Sequence, residues 1–240
     1  MPPETAATRL RVGTWNCQHG RPDPTQLQTA VRSLDVDVLA LQEIDRGTRR
    51  VGGRDLAADA SEAFGGELLW SPAVELQGGE YGNALLVRGK VVVAETVELP
   101  RRRKREPRCA VLAELEVAGR RWTCAATHLT TDRSVVVDQL LALLDLLAAR
   151  PAPRLLVGDL NLEPPLLLPW MSAEGYSLAL GPLTHSVRRP RRQIDHVAVA
   201  GRRCRAAALG ALVLPIADHL ALLAEVTCPD ENRQGTGTPP

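Results

Sequence analysis

Aromatic side chains are scarce in this chain: one Phe, two Tyr and four Trp among 240 residues. A core must therefore be built from Leu, Val and Ala, and the basic stretches lack the interleaved aromatics of a base-stacking platform. Cysteine is sparse and scattered, at Cys17, Cys109, Cys124, Cys204 and Cys228, with no C-x-x-C pair. An odd count without a secretory segment predicts reduced thiols in a cytoplasmic protein, not a disulfide framework. Charge of one sign is also missing: 29 basic against 28 acidic residues leave a formal net charge of +1, so no global pull toward nucleic acid or anionic membrane exists. The longest apolar run, Leu140 to Ala149, is broken by Asp145 and is too short to span a bilayer. The opening Met1-Pro2-Pro3-Glu4 has no basic region followed by an apolar one, so no secretory signal and no stable membrane association are expected.

What is present is a globular hydrophobic content of 45%, enough for one large domain or two small ones. The stretch Arg154 to Asn161 organises the reading. Leu155, Leu156 and Val157 predict a buried strand, Gly158 lets the backbone turn, and Asp159 and Asn161 emerge at its end. Alternation predicts a strand over Arg9 to Trp15, with Asn16 on the face of Leu10. Pro24 to Leu34 reads as a helix capped by Asp23, and Val36 to Gln42 as an apolar strand with Glu43 just beyond it. A short helix is expected over Asp55 to Phe64. Strands follow at Leu68–Trp70, Asn83–Val87, Val91–Leu99, Cys109–Val117 and Arg121–Thr127, with His128 at the end of the last. Ser134 to Ala149 reads as the longest helix, with Val135, Leu140, Leu144 and Leu147 on one face. Pro164-Pro165 begins a proline-marked passage to Gly181-Pro182, followed by strands at Ile194–Ala200, Arg205–Leu214 and Leu220–Val226. Residues 1–7 are expected to be a loose leader, 8–228 the folded domain and 229–240 a disordered tail. The order of elements suggests two similar lobes meeting near Ala118, packed sheet against sheet with helices outside.

Asn16, Glu43, His128, Asp159, Asn161, Asp195, Asp218 and His219 all fall at strand ends. Singly, each has an ordinary structural explanation as a turn residue, a cap or a satisfied core histidine. Together they form a set with a chemistry. Several carboxylates with few thiolates suit a hard cation such as Mg²⁺, which commonly takes one or two carboxylates plus substrate phosphate. Histidines beside acids suit proton transfer near neutral pH. Carboxamides hold phosphate oxygens without adding repulsion. Such a set fits water attack on a phosphate ester.

The chain resembles the endonuclease/exonuclease/phosphatase superfamily of metal-dependent phosphoesterases, related to DNase I. The resemblance rests on Thr14-Trp15-Asn16, Leu41-Gln42-Glu43, Tyr81-Gly82-Asn83-Ala84, Glu106-Pro107-Arg108, Thr127-His128-Leu129, Gly158-Asp159-Leu160-Asn161, Gln193-Ile194-Asp195-His196 and Ala217-Asp218-His219, in that order. It implies an α+β fold, a four-layer αββα sandwich of two mixed sheets packed face to face. It also implies that Glu43 is the principal metal ligand, with Asn16 and Asp218 close to the ion, and that the ion is Mg²⁺ with Mn²⁺ as substitute. His219 is then the general base, oriented by Asp195, with Asp159 placing the water. Asn161 and His128 hold the scissile phosphate, and Arg108, Asn83 and Thr184 contact substrate. Ala217 and His196 depart from the usual Ser and Tyr of the pattern. Thr127-His128-Leu129 places the chain nearer the DNase I, sphingomyelinase and inositol-phosphatase branches than exonuclease III. Trp15-Asn16-Cys17-Gln18-His19-Gly20 resembles a subset with His-Gly after Trp-Asn.

Basic residues gather in three runs: Arg101-Arg102-Arg103-Lys104-Arg105, Arg188–Arg192, and Arg202, Arg203 and Arg205. The first two flank the motifs and could grip a polyanion locally despite the small net charge. Three functions follow: a Mg²⁺-dependent phosphodiesterase acting on nucleic acid or a nucleotide-like ester, the same chemistry on a phospholipid or inositol phosphate, or a non-catalytic phosphate-binding module. A monomer is expected.

Overall fold

The computed structural model describes residues 7–18 and 24–230. The strands are β1 Ala7–Asn16, β2 Val38–Arg46, β3 Glu67–Leu76, β4 Gly79–Val87, β5 Lys90–Glu98, β6 Cys109–Val117, β7 Arg120–His128, β8 Arg154–Asp159, β9 Tyr176–Leu178, β10 Asp195–Ala200, β11 Arg205–Leu212 and β12 Ala221–Pro229. The helices are α1 Pro24–Ser33, α2 Leu56–Phe64, α3 Val136–Ala148 and α4 Pro164–Ala173. They build two six-stranded sheets, ordered β11-β12-β1-β2-β4-β3 and β5-β6-β7-β8-β10-β9.

Strand alternation separates three apolar layers. Leu10, Val12, Ala40 and Leu85 of the first sheet meet Val111, Ala113, Val157 and Val197 of the second, forming the core between the sheets. The opposite face of the first sheet packs Trp15, Leu39 and Leu86 against Leu27, Val31, Leu56 and Phe64 of α1 and α2. The opposite face of the second packs Leu112, Leu156 and Ala198 against Leu140, Leu144, Leu167 and Met171 of α3 and α4. The four-layer αββα sandwich is the result, because each helix buries one apolar stripe and each sheet two faces. Both parallel pairs, β1 with β2 and β7 with β8, are joined through a helix, α1 and α3 respectively.

Four expectations need correction. The lobes do not divide near Ala118, because Ala118-Gly119 only turns β6 into β7 of one sheet. The chain crosses between sheets at Arg88-Gly89 and returns at Gly201, so β11 and β12 complete the sheet begun by β1. The proline-marked passage after Pro164, given no element from sequence, holds α4 and β9. Prolines at the first two helical positions need no N–H partner, so they open a helix instead of breaking one. Ala7 and Pro229, placed in the leader and tail, are paired across β1 and β12. Finally, Cys204 and Cys228 are joined as a disulfide. Their proximity follows from the pairing of β11 with β12, a long-range fact no spacing rule supplies, and it removes the thiol-count argument for a reducing compartment. Cys17, Cys109 and Cys124 are free and buried.

Asp55 accepts from the Ala58 amide and caps α2, which stops at Gly65 with φ +72°. Asp23 and His19 lie outside the described residues. Among the described residues no helix is long and apolar enough to cross a membrane.

Candidate active site

The inter-sheet core ends in polar side chains at one rim. Along β8, Leu155 and Val157 face inward and Asp159 is the next inward position; β10 begins at Asp195, with inward-facing Val197 and Val199 after it; along β7, Cys124 and Ala126 precede His128. Register then sets them side by side, with His128 opposite Asp159 and Asp159 opposite Asp195. The first sheet contributes Asn16, two residues beyond inward-facing Thr14. Alternation alone would turn Glu43 away from this face. The pairing of β2 with β4 shifts between Leu41 and Ile44, and Glu43 has φ +58°. This bulge re-aims the carboxylate toward the rim.

The side chains form a continuous chain of contacts across both sheets. Asn16 Nδ2 donates to Glu43 Oε1 at 3.0 Å and to Asp159 Oδ2 at 3.2 Å. The same Asp159 oxygen lies 3.5 Å from His128 Nε2 and 3.8 Å from His219 Nε2. His219 Nδ1 lies 2.9 Å from Asp195 Oδ2. Arg108 Nη1, which also meets Glu106 at 3.0 Å, approaches His128 Nδ1 at 3.2 Å. A guanidinium only donates, so Nδ1 accepts and the proton of neutral His128 sits on Nε2, facing Asp159.

Two local devices hold Asp159. Gly158 has φ +143°, and a Cβ there would lie 1.9 Å from the Thr127 carbonyl oxygen. Only glycine allows β7 and β8 to approach this closely one residue before the carboxylate. Asn161, at φ +52°, donates its backbone N–H to Asp159 Oδ1 at 3.0 Å and its amide to the Leu129 carbonyl at 2.9 Å. The pair thus forms an Asx turn at the rim.

The electrostatics follow from burial. Asp159 is pushed up to about 7 by burial and by Asp195. For His219, burial opposes the charged ring, but the hydrogen bond and charge of Asp195, with Asp159 and Asp218, lift it to about 9. His128 is held well below the ordinary histidine value by burial, Arg108 and His219.

The remaining expected positions have different surroundings. Asp218 Oδ2 lies 3.9 Å from His185 Nε2. Thr184 is fully buried; its hydroxyl accepts from the Ile194 and Asp195 amides at 3.4 Å, so it braces Asp195 from behind. Asn83 is buried and donates to the Cys109 carbonyl at 3.2 Å. His196 is fully buried, lowered to about 4 by burial, and bonds the Leu162 carbonyl at 2.8 Å. His185 was not singled out by sequence. It pairs with His219 across a two-residue bridge, with ring centroids 4.7 Å apart. It sits in a loop whose proline-rich flanks hide any period, so only its neighbour Thr184 pointed to it.

Both leading basic runs border this rim. The Arg101–Arg105 loop precedes Arg108 and is tied to the segment after His128. Gln139 accepts from the Thr130 amide and donates to the Pro100 carbonyl, and Arg105 meets Asp132 at 3.4 Å. The loop from Thr184 to Arg192 closes on itself and carries exposed Arg188, Arg189 and Arg191 beside His219.

The sequence matches the profile of the Endonuclease/Exonuclease/phosphatase family over residues 13–235. The chain belongs to this family of metal-dependent phosphoesterases. It is therefore a phosphoester hydrolase of the endonuclease/exonuclease/phosphatase family. Its fold is that of an endonuclease/exonuclease/phosphatase of Beutenbergia cavernae, with a TM-score of 0.77 at 20% identity over 92% of this chain and 72% of that one. TDP2 from Caenorhabditis elegans is similar at TM-score 0.65 and 18% identity, covering 92% and 74%. ANGEL2, described as a 2′,3′-cyclic phosphatase, is similar at TM-score 0.70 and 14% identity, covering 92% and 95%. Comparison with curated proteins gives no match.

The residues present fit a divalent cation. One donor atom from each of Asp159, Asp195 and His219 lies within 4.8 Å of the others; Asp195 and His219 are bonded to each other, so a cation would draw on the carboxylates of Glu43 and Asp159, which Asn16 links. Asp195 Oδ1 is buried without a hydrogen-bond partner among the described residues. Oxygen donors crowded in a buried space, with one carboxylate pushed toward protonation, favour a hard cation.

Proposed function

We propose that this protein is a Mg²⁺-dependent phosphodiesterase acting on nucleic acid or a nucleotide-like ester. The observation that supports it is the unbroken path Glu43–Asn16–Asp159–His219–Asp195, which joins a metal-type carboxylate to an oriented imidazole across two sheets. Glu43 holds the cation, with Asn16 and Asp218 nearby, and Mn²⁺ can replace Mg²⁺. Bound there, the cation supplies Lewis-acid polarisation of the phosphoryl oxygen. Asp195 accepts from His219 Nδ1, fixing the tautomer that leaves Nε2 as the base. The water's proton passes to Nε2 as its oxygen forms a new bond to phosphorus and the ester oxygen departs. Asp159, facing the same nitrogen, places that water. Asn161 and the Nε2–H of His128 hold the phosphate and meet its developing charge, and Arg108 fixes His128 in that state. The two basic loops flanking the rim favour an extended polyanion over an isolated monoester.

The test is incubation with plasmid DNA, RNA, a phosphoinositide and bis-4-nitrophenyl phosphate, in Mg²⁺, Mn²⁺ or EDTA. Metal-dependent cleavage of a nucleic acid is expected. His219→Ala should lower turnover by about 10²–10⁴-fold, the usual worth of a general base, while Glu43→Gln should raise the metal concentration needed for half-maximal rate. Turnover of the phosphoinositide alone would assign a lipid or inositol substrate, and metal-independent binding without turnover would assign a non-catalytic module.

A further inference from the structure

A recess opens directly beside Asn161, between the start of α3 and the start of α4. Val136, Leu162 and Leu166 give it an apolar wall, and Arg133, Glu163 and Arg192 its polar border. Val136 and Leu162 are buried, whereas Leu166 is 59% exposed at the mouth. Arg133 is exposed, and Arg192 meets Glu163 through Nε at 3.0 Å. That contact orients the guanidinium and uses one of its five N–H donors.

We propose that this recess is the subsite for the nucleoside adjoining the scissile phosphate, resting on the phosphodiesterase reading above. Asn161 belongs to both the recess and the phosphate site, so a group attached to the phosphate enters the recess without a spacer. An exposed leucine beside two buried apolar side chains stabilises a flat, weakly polar body; a polyhydroxylated inositol ring has little apolar area to bury there. Two arginines against one glutamate leave the border positive, matching the next phosphate of a strand. Because the chain has few aromatics, the aliphatic wall takes the place that a stacking ring holds elsewhere.

The experiment compares two esters with the same leaving group, thymidine 5′-(4-nitrophenyl phosphate) and methyl 4-nitrophenyl phosphate, in wild type, Leu166→Ser and Arg133→Ala. Leu166 lies in the first turn of an exposed helix end, so neither variant disturbs the core. The wild type is expected to favour the nucleoside ester in kcat/KM by about tenfold or more, and each variant to reduce that ratio several-fold, the scale set by partial burial of one leucine or one charge-assisted contact. A ratio unchanged by both variants overturns the proposal. So does an equal gain for a short-chain glycerophosphodiester, which would assign the wall to lipid. Calorimetric binding of thymidine monophosphate in EDTA separates the two levels. Tighter binding by wild type than by the variants supports the recess even if no ester is turned over, in which case only the phosphodiesterase reading falls. Equal binding in all three proteins overturns the recess alone.

Discussion

Replacing Gly158 with alanine offers a quantitative test of how the site is built. The added Cβ would sit 1.9 Å from the Thr127 carbonyl oxygen, whereas such contacts are essentially never under 3.0 Å. Relief requires β7 and β8 to part by roughly 1 Å, the difference between those two distances. Gly158 is paired with Thr127 and the neighbouring pair is His128 with Asp159. Weakening one or two ladder hydrogen bonds costs about 1 kcal/mol each. Forcing a side chain onto φ +143° adds about 1–3 kcal/mol. The sum is about 2–5 kcal/mol, which for a chain of this size is about 4–20 °C in Tm. The larger effect is on chemistry, because a displacement near 1 Å between His128 and Asp159 costs about 10²-fold in rate. Thermal melting and initial rates on bis-4-nitrophenyl phosphate read both. A Gly158→Ala protein melting within about 2 °C of wild type, with full activity, would refute the claim that close strand approach sets this geometry.

Three further outcomes are expected. The Cys204→Ser/Cys228→Ser protein should lose about 3 kcal/mol, the loop-closure value for a separation of 24 residues, seen as a lower denaturation midpoint that reductant no longer shifts. Arg108→Ala should raise the His128 pKa, since burial remains but the neighbouring guanidinium is gone; ring NMR shifts against pH would show the change, and an unmoved titration would deny the Arg108 contact. Asp55→Ala should cost about 1 kcal/mol through the lost cap of α2. Against burial, Arg46 and the Ala58 amide hold the Asp55 carboxyl below its ordinary value. Its contribution is therefore present above the unfolded value near pH 4 and lost as pH falls through the folded one, so the wild-type and variant urea midpoints should converge in acid.

Much of the layered fold was legible because period-two alternation marks both faces of a strand. Cys109–Val117 and the end of β10 at Ala200 agree with the sequence reading to the residue. What failed was information carried by other parts of the chain. Ala118-Gly119-Arg120 reads locally as the tight turn it is, but the order of elements suggested a seam there, because which sheet a strand joins depends on partners far along the chain. Pro164-Pro165 reads as a breaker unless one knows that buried Leu167 and Met171, one turn apart, anchor a helix there. The rim residues were legible by type, because strand ends expose them together. Thr184 and Asn83 show the limit: the resemblance implies that they contact substrate, and only the structure shows their side chains bonded to the protein's own backbone. Glu43 is legible as an acid, while the bulge that aims it is visible only in the register.

The split composition of the first sheet has a consequence for biosynthesis. Strands β5 to β10 are contiguous in the chain and can pair as soon as they leave the ribosome, but β1 lies between β2 and β12 and keeps one edge bare until the final strand is made. Asn16 and Glu43 are synthesised early and His219 among the last. A nascent chain therefore carries Asn16 and Glu43 without His219 facing them, and the two sides of the rim meet only when β12 docks beside β1.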